Sequence, residues 1–578
     1  MSSAWIARLG QTRLCGGVGM MMLVLLVACS NVPMVSSGLP VDIQLVAIND
    51  LHGHLEAESK NFRGVDDASA QKRQVGGVAT IGGALRAWRA EDPQLLLVGG
   101  GDLIGATPPL SAIWADEPTI VALNQLKLRV SAVGNHEFDQ GSAEFLRYRD
   151  GGCQSVRPDK ACKFEPRFAG AKFPYLAANV IDKTTGQPFL LPYRVEEVQG
   201  LKIGFIGTVL KETPGIVMAS GVAGLEFIDE AAAINRWVPA LKAQGVSAIV
   251  VLMHQGGSTP EPFDKPECSQ LSGPIVDIVT RLDPAIRLVI TGHTHQAYTC
   301  LVDGRTVTQG GSYGDMLTRI TLRIDPRMAT LAEKTTHVQA RNVLMDTRQF
   351  KPDPALADFV QQLKTRSDLI LAQPIARLAI PRIERQSNAF GESPLGNVVA
   401  DAMLASTRVY GAQLAVANQG GLRADLDSGP TGANYAQLAI TTPFGNSLIL
   451  LTLSGTQLVA LLEQQNWREQ DRTAGRSLLQ ISDGLRYRWD GRRPKGQRIV
   501  PGSLTLDGAV IDPKKAYRLT VSSFMSQGGD GFGVLNQGAD RVDTGIVDLD
   551  ALRQHLIDSE RAGTPVGAEA VGRIVRVD

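Results

Sequence analysis

Histidine is scarce in this chain, and its few copies are unevenly placed. The sequence has 578 residues but only eight histidines. Six of them occur between residues 52 and 295, and the other two are His337 and His555. A single histidine is an ordinary surface or core residue, but a group that recurs after short apolar runs needs a chemical explanation.

The chain also lacks an excess of charge of either sign. It has 58 basic (Lys and Arg) and 58 acidic (Asp and Glu) residues and no basic run. This balance argues against nucleic acid or an anionic membrane surface as the principal partner. At about 150 residues per domain, the length predicts two to four structural units.

No apolar run near the amino terminus is long enough to span a bilayer comfortably. Arg8 and Arg13 precede an apolar stretch at residues 18–28, which has the length of a secretory h-region. An uncleaved anchor or an ordinary cleaved signal would fit this pattern. The ending Leu-Val-Ala-Cys, however, resembles the bacterial lipobox, which implies a signal peptide at residues 1–28 and a lipid on Cys29. The following Ser30 favours the outer membrane, so we expect a lipid-anchored protein of the cell envelope.

Cysteine is also rare, with six copies. Cys15 would leave with the signal peptide and Cys29 would carry the lipid, so four cysteines remain in the exported protein. An even number in an oxidising compartment predicts two disulfides, most simply Cys153–Cys162 and Cys268–Cys300. Free buried thiols are the alternative. Metal ligation is less favoured, because none of the four lies in the strand-end loops that carry most of the histidines.

The chain divides into two domains joined by a helix. Residues 29–40 are rich in proline and small residues and predict a tether. Strand-like runs alternate with helical stretches, such as residues 79–90, through residues 41–343, which predicts an α/β domain. Residues 344–375 contain an amphipathic helix at 354–371. Residues 376–578 form a second domain that is nearly free of histidine, so the first domain is expected to bind metal.

Five polar segments of the first domain each follow a short apolar run. They are Asn49-Asp50-Leu51-His52, Gly99-Gly100-Gly101-Asp102, Gly134-Asn135-His136-Glu137-Phe138-Asp139, His254-Gln255-Gly256-Gly257 and Gly292-His293-Thr294-His295. Ligands of open α/β sheets bind beyond the carboxyl ends of the strands, so we expect these loops to share one site. Mixed Asp, Asn and His donors suit Zn, Mn, Fe or Co better than Mg or Ca. Taken alone, Asp50 could be a turn former and Asp102 a helix cap.

This series of motifs resembles the calcineurin-like metallophosphoesterases, and Gly-Asn-His-Glu-Phe-Asp is similar to the motif of the 5′-nucleotidase and UDP-sugar hydrolase family. The resemblance implies an N-terminal four-layer αββα domain, a linking helix and a C-terminal α/β substrate-binding domain. It also implies two divalent metal ions that share one carboxylate. Their ligands would be Asp50, His52, Asp102 and His295 for one ion, and Asp102, Asn135, His254 and His293 for the other.

The same resemblance makes His136 a catalytic residue that Asp139 orients, and not a metal ligand. An imidazolium held by a carboxylate can stabilise charge on a phosphate or protonate a leaving alkoxide. A helix-capping role is the alternative for Asp139.

Several segments of the second domain also resemble the 5′-nucleotidase C-terminal domain. They are Glu392-Ser393-Pro394-Leu395-Gly396-Asn397, Asn418-Gln419-Gly420-Gly421-Leu422-Arg423, Pro443-Phe444-Gly445-Asn446 and the run from Phe524 to Phe532. The resemblance implies that Phe444 and Phe524 sandwich a nucleobase and that Asp530 binds the ribose hydroxyls. Stacking on such rings is worth about 1–3 kcal/mol per base. Arg423 is expected to bind phosphate, and Asn418 the base or sugar. Core phenylalanines, a turn aspartate and a solvated arginine are the alternatives.

One position departs from the family pattern, which has an arginine where this chain has Ala389. Arg382 or Arg385 could reach the same phosphate instead. We therefore expect an exported enzyme that releases phosphate from nucleotides, with UDP-sugars, dinucleotides and 2′,3′-cyclic nucleotides as alternative substrates. A thiosulfohydrolase-like enzyme and a nucleotide-binding surface lipoprotein without activity are alternatives of other classes. The retained His136 and Asp139 argue against a protein that only binds.

Overall fold

The computed structural model describes residues 38–66, 69–386, 388, 391–465, 478–567 and 572–577. The predicted signal peptide, Cys29, most of the tether and Ala389 lie outside these ranges. Of the helices in the described ranges, none has both the length and the apolar character that crossing a bilayer requires.

Strands and helices alternate through the first domain, as the sequence predicts. Its strands are β1 (Val41–Ile48), β2 (Ala57–Phe62), β3 (Gln71–Gly76), β4 (Leu96–Gly99), β5 (Leu128–Ala132), β6 (Tyr175–Leu176), β7 (Val180–Asp182), β8 (Tyr193–Val198), β9 (Leu201–Val209), β10 (Leu225–Phe227), β11 (Ala248–His254), β12 (Ile286–Thr291), β13 (Ala297–Val302), β14 (Arg305–Gly310), β15 (Met316–Ile324) and β16 (Thr335–Leu344). Its helices are α1 (Val78–Glu91), α2 (Pro109–Ala112), α3 (Glu117–Gln125), α4 (Gly141–Asp150), α5 (Glu230–Ala243), α6 (Pro274–Thr280), α7 (Leu331–Lys334) and α8 (Pro354–Leu371).

Twelve of these strands form two mixed sheets. The strand order is β16-β15-β1-β4-β5-β6 in the first sheet and β13-β14-β12-β11-β9-β8 in the second. Strands β1, β4, β5 and β6 are parallel in the first, and β9, β11, β12 and β14 are parallel in the second. The five strands that precede the polar motifs are therefore divided between two sheets.

The two sheets pack face to face, with helices on both outer surfaces. Alternate residues of β1 point to opposite faces. Leu45 is buried in one core with Phe205 and Val250 of the second sheet. Its neighbour Val46 is buried in another core with Ile81 of α1. Helices α5 and α6 cover the outer face of the second sheet. The expected four-layer αββα arrangement is confirmed.

Helix α8 has the bounds that the sequence pattern predicts. Asp353 caps it by accepting hydrogen bonds from the backbone N–H groups of Ala355 and Leu356. Leu356 and Leu363 are fully or nearly buried in the core of the first domain. The helix is therefore packed onto the first domain and is not an isolated helix between the two domains.

The second domain is also built of α and β elements. Its strands are β17 (Pro374–Ala376), β18 (Arg382–Ile383), β19 (Leu414–Asn418), β20 (Leu426–Asp427), β21 (Ala433–Asn434), β22 (Ser447–Ser454), β23 (Leu479–Ile481), β24 (Leu485–Trp489), β25 (Thr505–Leu506), β26 (Ala509–Val510), β27 (Ala516–Ser522), β28 (Ala539–Val547) and β29 (Ile574–Arg576). Its helices are α9 (Pro394–Thr407), α10 (Tyr435–Thr441), α11 (Gly455–Glu463), α12 (Ser523–Ser526) and α13 (Asp548–Arg561).

A five-stranded sheet of order β23-β19-β27-β22-β28 is the centre of this domain. Leu448 and Leu450 of β22 pack on α9 and α13. The alternate residues Leu451 and Leu453 pack on α11 and a second sheet of order β26-β25-β24-β29. The sheet is thus buried on both faces.

Both predicted disulfides are present. Cys153 is bonded to Cys162, and Cys268 to Cys300. The first closes a loop after α4, and the second joins the segment before α6 to β13. These are the simplest pairings that the sequence allowed.

Gly83 of α1 allows the segment before α8 to approach closely. A Cβ atom at this position would lie 1.9 Å from the backbone oxygen of Lys351. We expect Gly83→Ala to lower the free energy of unfolding by about 1–3 kcal/mol, because overpacking outweighs the gain of about 1 kcal/mol in helix propensity. Urea denaturation measures this. Gly224→Ala is the matched control, since no described atom lies within 4 Å of the place that its Cβ would occupy. Equal stability of the two variants would contradict the close-approach role.

Candidate active site

The loops that follow β1, β4, β5, β11 and β12 meet at one edge of the sandwich. Three groups of donor atoms are found there, and the atoms within each group all lie within 4.8 Å of one another. They are Asp50 with His52 and His295, Asp102 with His254 and His293, and His52 with Asp102 and His136. Asn135 joins the second group, because its Oδ1 atom lies 3.0 Å from Nδ1 of His293. The structure therefore brings all seven expected ligands together.

The first cluster has its imidazole nitrogens directed at one another. The Nε2 atoms of His52 and His295 are 3.1 Å apart, and Nε2 of His295 lies 3.6 Å from Oδ1 of Asp50. Nδ1 of His52 lies 2.8 Å from the carbonyl oxygen of Gly105, which favours the tautomer with the proton on Nδ1. The Nε2 lone pair of His52 is then directed into the cluster, as a metal ligand requires.

The second cluster is arranged in the same way around His254. Its Nδ1 atom lies 2.8 Å from the carbonyl oxygen of Gly100. Its buried Nε2 atom is 2.9 Å from Oδ2 of Asp102 but does not have the geometry of a hydrogen bond to it or to any other described group. Such an unsatisfied buried nitrogen beside a carboxylate fits a divalent cation. Both clusters therefore pass the chemical test for a metal site.

Strained backbone conformations are concentrated at these residues. The φ angles are 48° at Asp50, 46° at His52, 49° at Asp102, 74° at His293 and 55° at His295. Non-glycine residues rarely adopt this left-handed region, and each instance costs on the order of 1–3 kcal/mol. Such strain persists where function requires a particular side-chain direction.

Burial also shifts the pKa values of carboxylates and imidazoles in the clusters. It raises the pKa of Asp50 to about 7 and lowers the pKa of His52 well below its ordinary value. Burial opposes ionisation of Asp102 too, but the nearby His254 and His136 outweigh it and hold its pKa well below the usual range. A divalent cation would favour the ionised carboxylates and neutral imidazoles that ligation needs.

His136 is paired with Asp139, as the motif implies. Its Nδ1 atom lies 2.8 Å from Oδ2 of Asp139, and its backbone N–H donates to Oδ1 of Asp102 over 2.8 Å. Burial disfavours the imidazolium, but the carboxylates of Asp139 and Asp102 outweigh burial and raise the pKa of His136. The N-cap of the following helix α4 is Gln140 and has no side-chain cap. The capping alternative for Asp139 is therefore wrong.

A cleft between the two domains adjoins His136. His136 and Asp139 line it from the first domain, and so do Ile216, Val217 and Met218, which the sequence did not single out. All five expected residues of the second domain line the same cleft: Asn418, Arg423, Phe444, Phe524 and Asp530. Residues from both domains thus share one pocket.

The second-domain residues contact one another and His136 in this cleft. The ring of Phe444 is nearly parallel to that of His136, with centroids 6.0 Å apart. The guanidinium of Arg423 lies 5.7 Å from the centroid of Phe444. Nδ2 of Asn418 donates to Oδ2 of Asp530 over 2.7 Å. Phe444 and Phe524 are half-buried, so both rings are available at the wall of the cleft.

Arg385, and not Arg382, contacts Arg423, which lines the cleft. Nη1 of Arg385 donates to the backbone oxygen of Arg423 over 2.6 Å, whereas Arg382 is ion-paired with Asp427. Burial and the charge of Arg423 lower the pKa of Arg385. Two neighbouring guanidinium groups favour an anion between them.

Comparison with known proteins agrees with this geometry. Residues 43–297 match the calcineurin-like phosphoesterase model, and residues 374–537 match the model of the 5′-nucleotidase C-terminal domain. The chain is 30% identical to cell wall protein Lmo0130 of Listeria monocytogenes over 571 residues, which cover 93% of this chain and 69% of that protein. The chain belongs to the 5′-nucleotidase family.

Members of this family differ in length and in name. Endonuclease YhcR of Bacillus subtilis is 30% identical over 84% of this chain, but the chain spans only 37% of that relative. The crystal structure of a 5′-nucleotidase precursor from Thermus thermophilus superposes with a TM-score of 0.71 at 25% identity, covering 93% of this chain and all of the other. Family membership places the chain among metal-dependent phosphoester hydrolases.

Glu137 supports the site of this 5′-nucleotidase-family protein, although no separate role for it was expected from the motif. Its buried carboxylate accepts hydrogen bonds from the backbone N–H groups of Asp102 (2.9 Å), Leu103 (2.7 Å) and Gly134 (2.6 Å). Burial raises its pKa to about 7. Asn49 acts similarly on the first loop, since its Nδ2 donates to Oδ2 of Asp50 over 2.7 Å. Glu137 and Asn49 both lie inside the polar motifs of the sequence, and that position is the signal that could have identified them.

We expect Glu137→Gln to impair metal binding and stability. The amide has one acceptor oxygen and would place a donor against the backbone N–H groups that position Asp102. Metal content should fall, and the free energy of unfolding should drop by about 1–3 kcal/mol, the cost of unsatisfied buried groups. Metal analysis of the dialysed protein and urea denaturation measure the two effects. Glu56→Gln is the control, because Glu56 is exposed and pairs with Lys364, away from this network. An unchanged Glu137→Gln protein would contradict the positioning role.

Proposed function

We propose that this chain is an exported phosphohydrolase that releases phosphate from nucleotides at a centre of two divalent metal ions. The observation that carries the proposal is the shared cleft, which is lined by His136 from the first domain and by the residues expected to bind base, ribose and phosphate from the second. The 5′-nucleotidase name of the Thermus thermophilus structure supports the same substrate class.

The two donor clusters suit one ion each. Asp50, His52, Asp102 and His295 would hold one, and Asp102, Asn135, His254 and His293 the other, so that Asp102 is shared. When bound, such a pair supplies Lewis-acid stabilisation of phosphoryl oxygens and activates water. Zn, Mn, Co and Fe all fit this donor set.

The remaining residues hold the substrate and move a proton. Arg423, with Arg385 beside it, would bind the phosphate through its planar guanidinium. Phe444 and Phe524 stack on the base, and Asp530 accepts hydrogen bonds from the ribose. His136, held at Nδ1 by Asp139, is left with Nε2 to stabilise the phosphate or protonate the leaving oxygen.

We further propose a location in the cell envelope, with a signal peptide at residues 1–28 and a lipid on Cys29. The lipobox-like sequence supports the lipid anchor. The two disulfides support an oxidising compartment. A relative named as a cell wall protein supports an extracytoplasmic location.

A substrate and metal panel tests the proposed reaction. The protein that begins after Cys29 is assayed with Zn, Mn, Co and Mg on AMP, UDP-glucose, 2′,3′-cyclic AMP, thiosulfate, single-stranded DNA and p-nitrophenyl phosphate. Phosphate release from AMP should require a metal, and chelation should abolish it. Asp102→Asn should lose at least about 100-fold in kcat, the scale of removing one group that stabilises transition-state charge. Full activity of this variant would refute a shared carboxylate.

A matched pair of arginine variants tests which residue replaces the one missing at Ala389. We expect Arg385→Gln to raise KM for AMP about tenfold, equivalent to about 1.4 kcal/mol, because it removes a cation beside Arg423. Arg382→Gln should change KM little, since Arg382 is held by Asp427 at the surface. Steady-state kinetics on AMP compare the two. A larger effect of Arg382→Gln would reverse the assignment.

A further inference from the structure

A second, smaller cavity adjoins the pair His136–Asp139. Both residues line it, together with Thr107, Asp116 and Arg157. Its volume of about 20 Å³ exceeds the roughly 10–15 Å³ that one water molecule needs. Gln140 and Phe444 line this cavity and the cleft as well, so the two spaces are neighbours. Any catalytic role of the cavity rests on the proposed function of His136 and Asp139.

Three polar atoms around this cavity have no hydrogen-bond partner in the described part of the protein. They are Oγ1 of Thr107, Oδ1 of Asp116 and Nε of Arg157. Thr107 is 2% exposed and Asp116 is 4% exposed, so bulk water does not reach them freely. Buried polar groups rarely remain unpaired in native proteins, and a water needs two to four such partners. A donor and two acceptors around one space meet that need.

Arg157 is fixed in place by a short covalent loop. The Cys153–Cys162 disulfide closes the loop that carries it. Nη2 of Arg157 donates to Oδ2 of Asp116 over 3.1 Å and also to the hydroxyl of Tyr148. Tyr148 belongs to α4, the helix that begins two residues after Asp139. The loop, the helix and the catalytic pair therefore form one connected unit.

We propose that this cavity is a binding site for one ordered water, or at most two, that link Thr107, Asp116 and Arg157 to the carboxylate of Asp139. His136 occupies one acceptor site of that carboxylate, and a carboxylate offers about four. The water fixes the orientation of Asp139 and so of the His136 ring. Arg157 and Asp116 are thus positioning residues that act through Asp139.

The kinetic test compares Arg157→Gln with Arg149→Gln in the full metal-loaded enzyme. Arg149 is the control, because it is a half-buried arginine of α4 that pairs with Asp150 and does not line the cavity. With p-nitrophenyl phosphate, Arg157→Gln should lower kcat about 10- to 100-fold, the scale of lost outer-shell partners, and leave KM and metal content unchanged. A rise in KM alone, or an effect equal to that of Arg149→Gln, would overturn the proposal.

A double-mutant cycle separates positioning from general damage. In an Asp139→Asn background, Arg157→Gln should cause little further loss of kcat, because both changes disable the same unit. Fully additive losses would mean that Arg157 acts independently of Asp139 and would overturn the proposal.

Thr107→Val supplies a readout that does not need activity. If a water bonds to the hydroxyl, the variant should lower Tm and the water should be visible near Asp116 in a crystal structure of the wild-type enzyme. If no water is present, removal of an unpaired buried hydroxyl should raise Tm, and the cavity should lack density. The second result overturns the proposal even in a protein that hydrolyses nucleotides. Conversely, an ordered water in a protein without phosphatase activity would uphold the water site while the proposed function failed.

Discussion

The position of the Asp102 carboxylate is the constraint on which the rest of the site depends. It lies within reach of both donor clusters and accepts the backbone N–H of His136. Its own backbone is held in a left-handed conformation, and its N–H donates to Glu137. One hydrogen-bonded unit therefore sets the distance between the two donor clusters and His136. A shift of this loop would displace the donor clusters and His136 together.

The double sheet offsets the cost of this arrangement in stability. Five strained ligand residues cost on the order of 1–3 kcal/mol each, and several buried charges add to that cost. The loops that carry them are anchored on strands from two sheets whose facing surfaces are fully buried, such as Leu45 against Val250. Packing of this density resists the small movements that would relax the strain. The core thus stabilises a geometry that the loops alone would not adopt.

The sequence predicts which residues lie together at the candidate site better than it predicts the contacts that support them. The strand-end motifs predict that the Asp, Asn and His donors meet, cysteine parity predicts the disulfides, and the amphipathic pattern predicts α8, whereas the roles of His136 and Asp139 follow only from the resemblance to the family. The division of five strands between two sheets did not follow, because strands buried on both faces have no period that reports their neighbours. The sequence left Arg382 and Arg385 as equal candidates and did not single out Ile216, because their positions depend on contacts between segments far apart in sequence.

The packing of α8 shows to which of the two domains this helix belongs. The helix lies between them in sequence and was expected only to join them. Because Leu356 and Leu363 are buried in the first domain, α8 belongs mechanically to that domain. Only Ala372 and Gln373 separate its end from β17 of the second domain. Any movement that opens the cleft between His136 and Phe444 has to be accommodated at this short connection, since the helix itself cannot move without exposing its leucines. The backbone connection between the two domains is therefore much shorter than the linking segment.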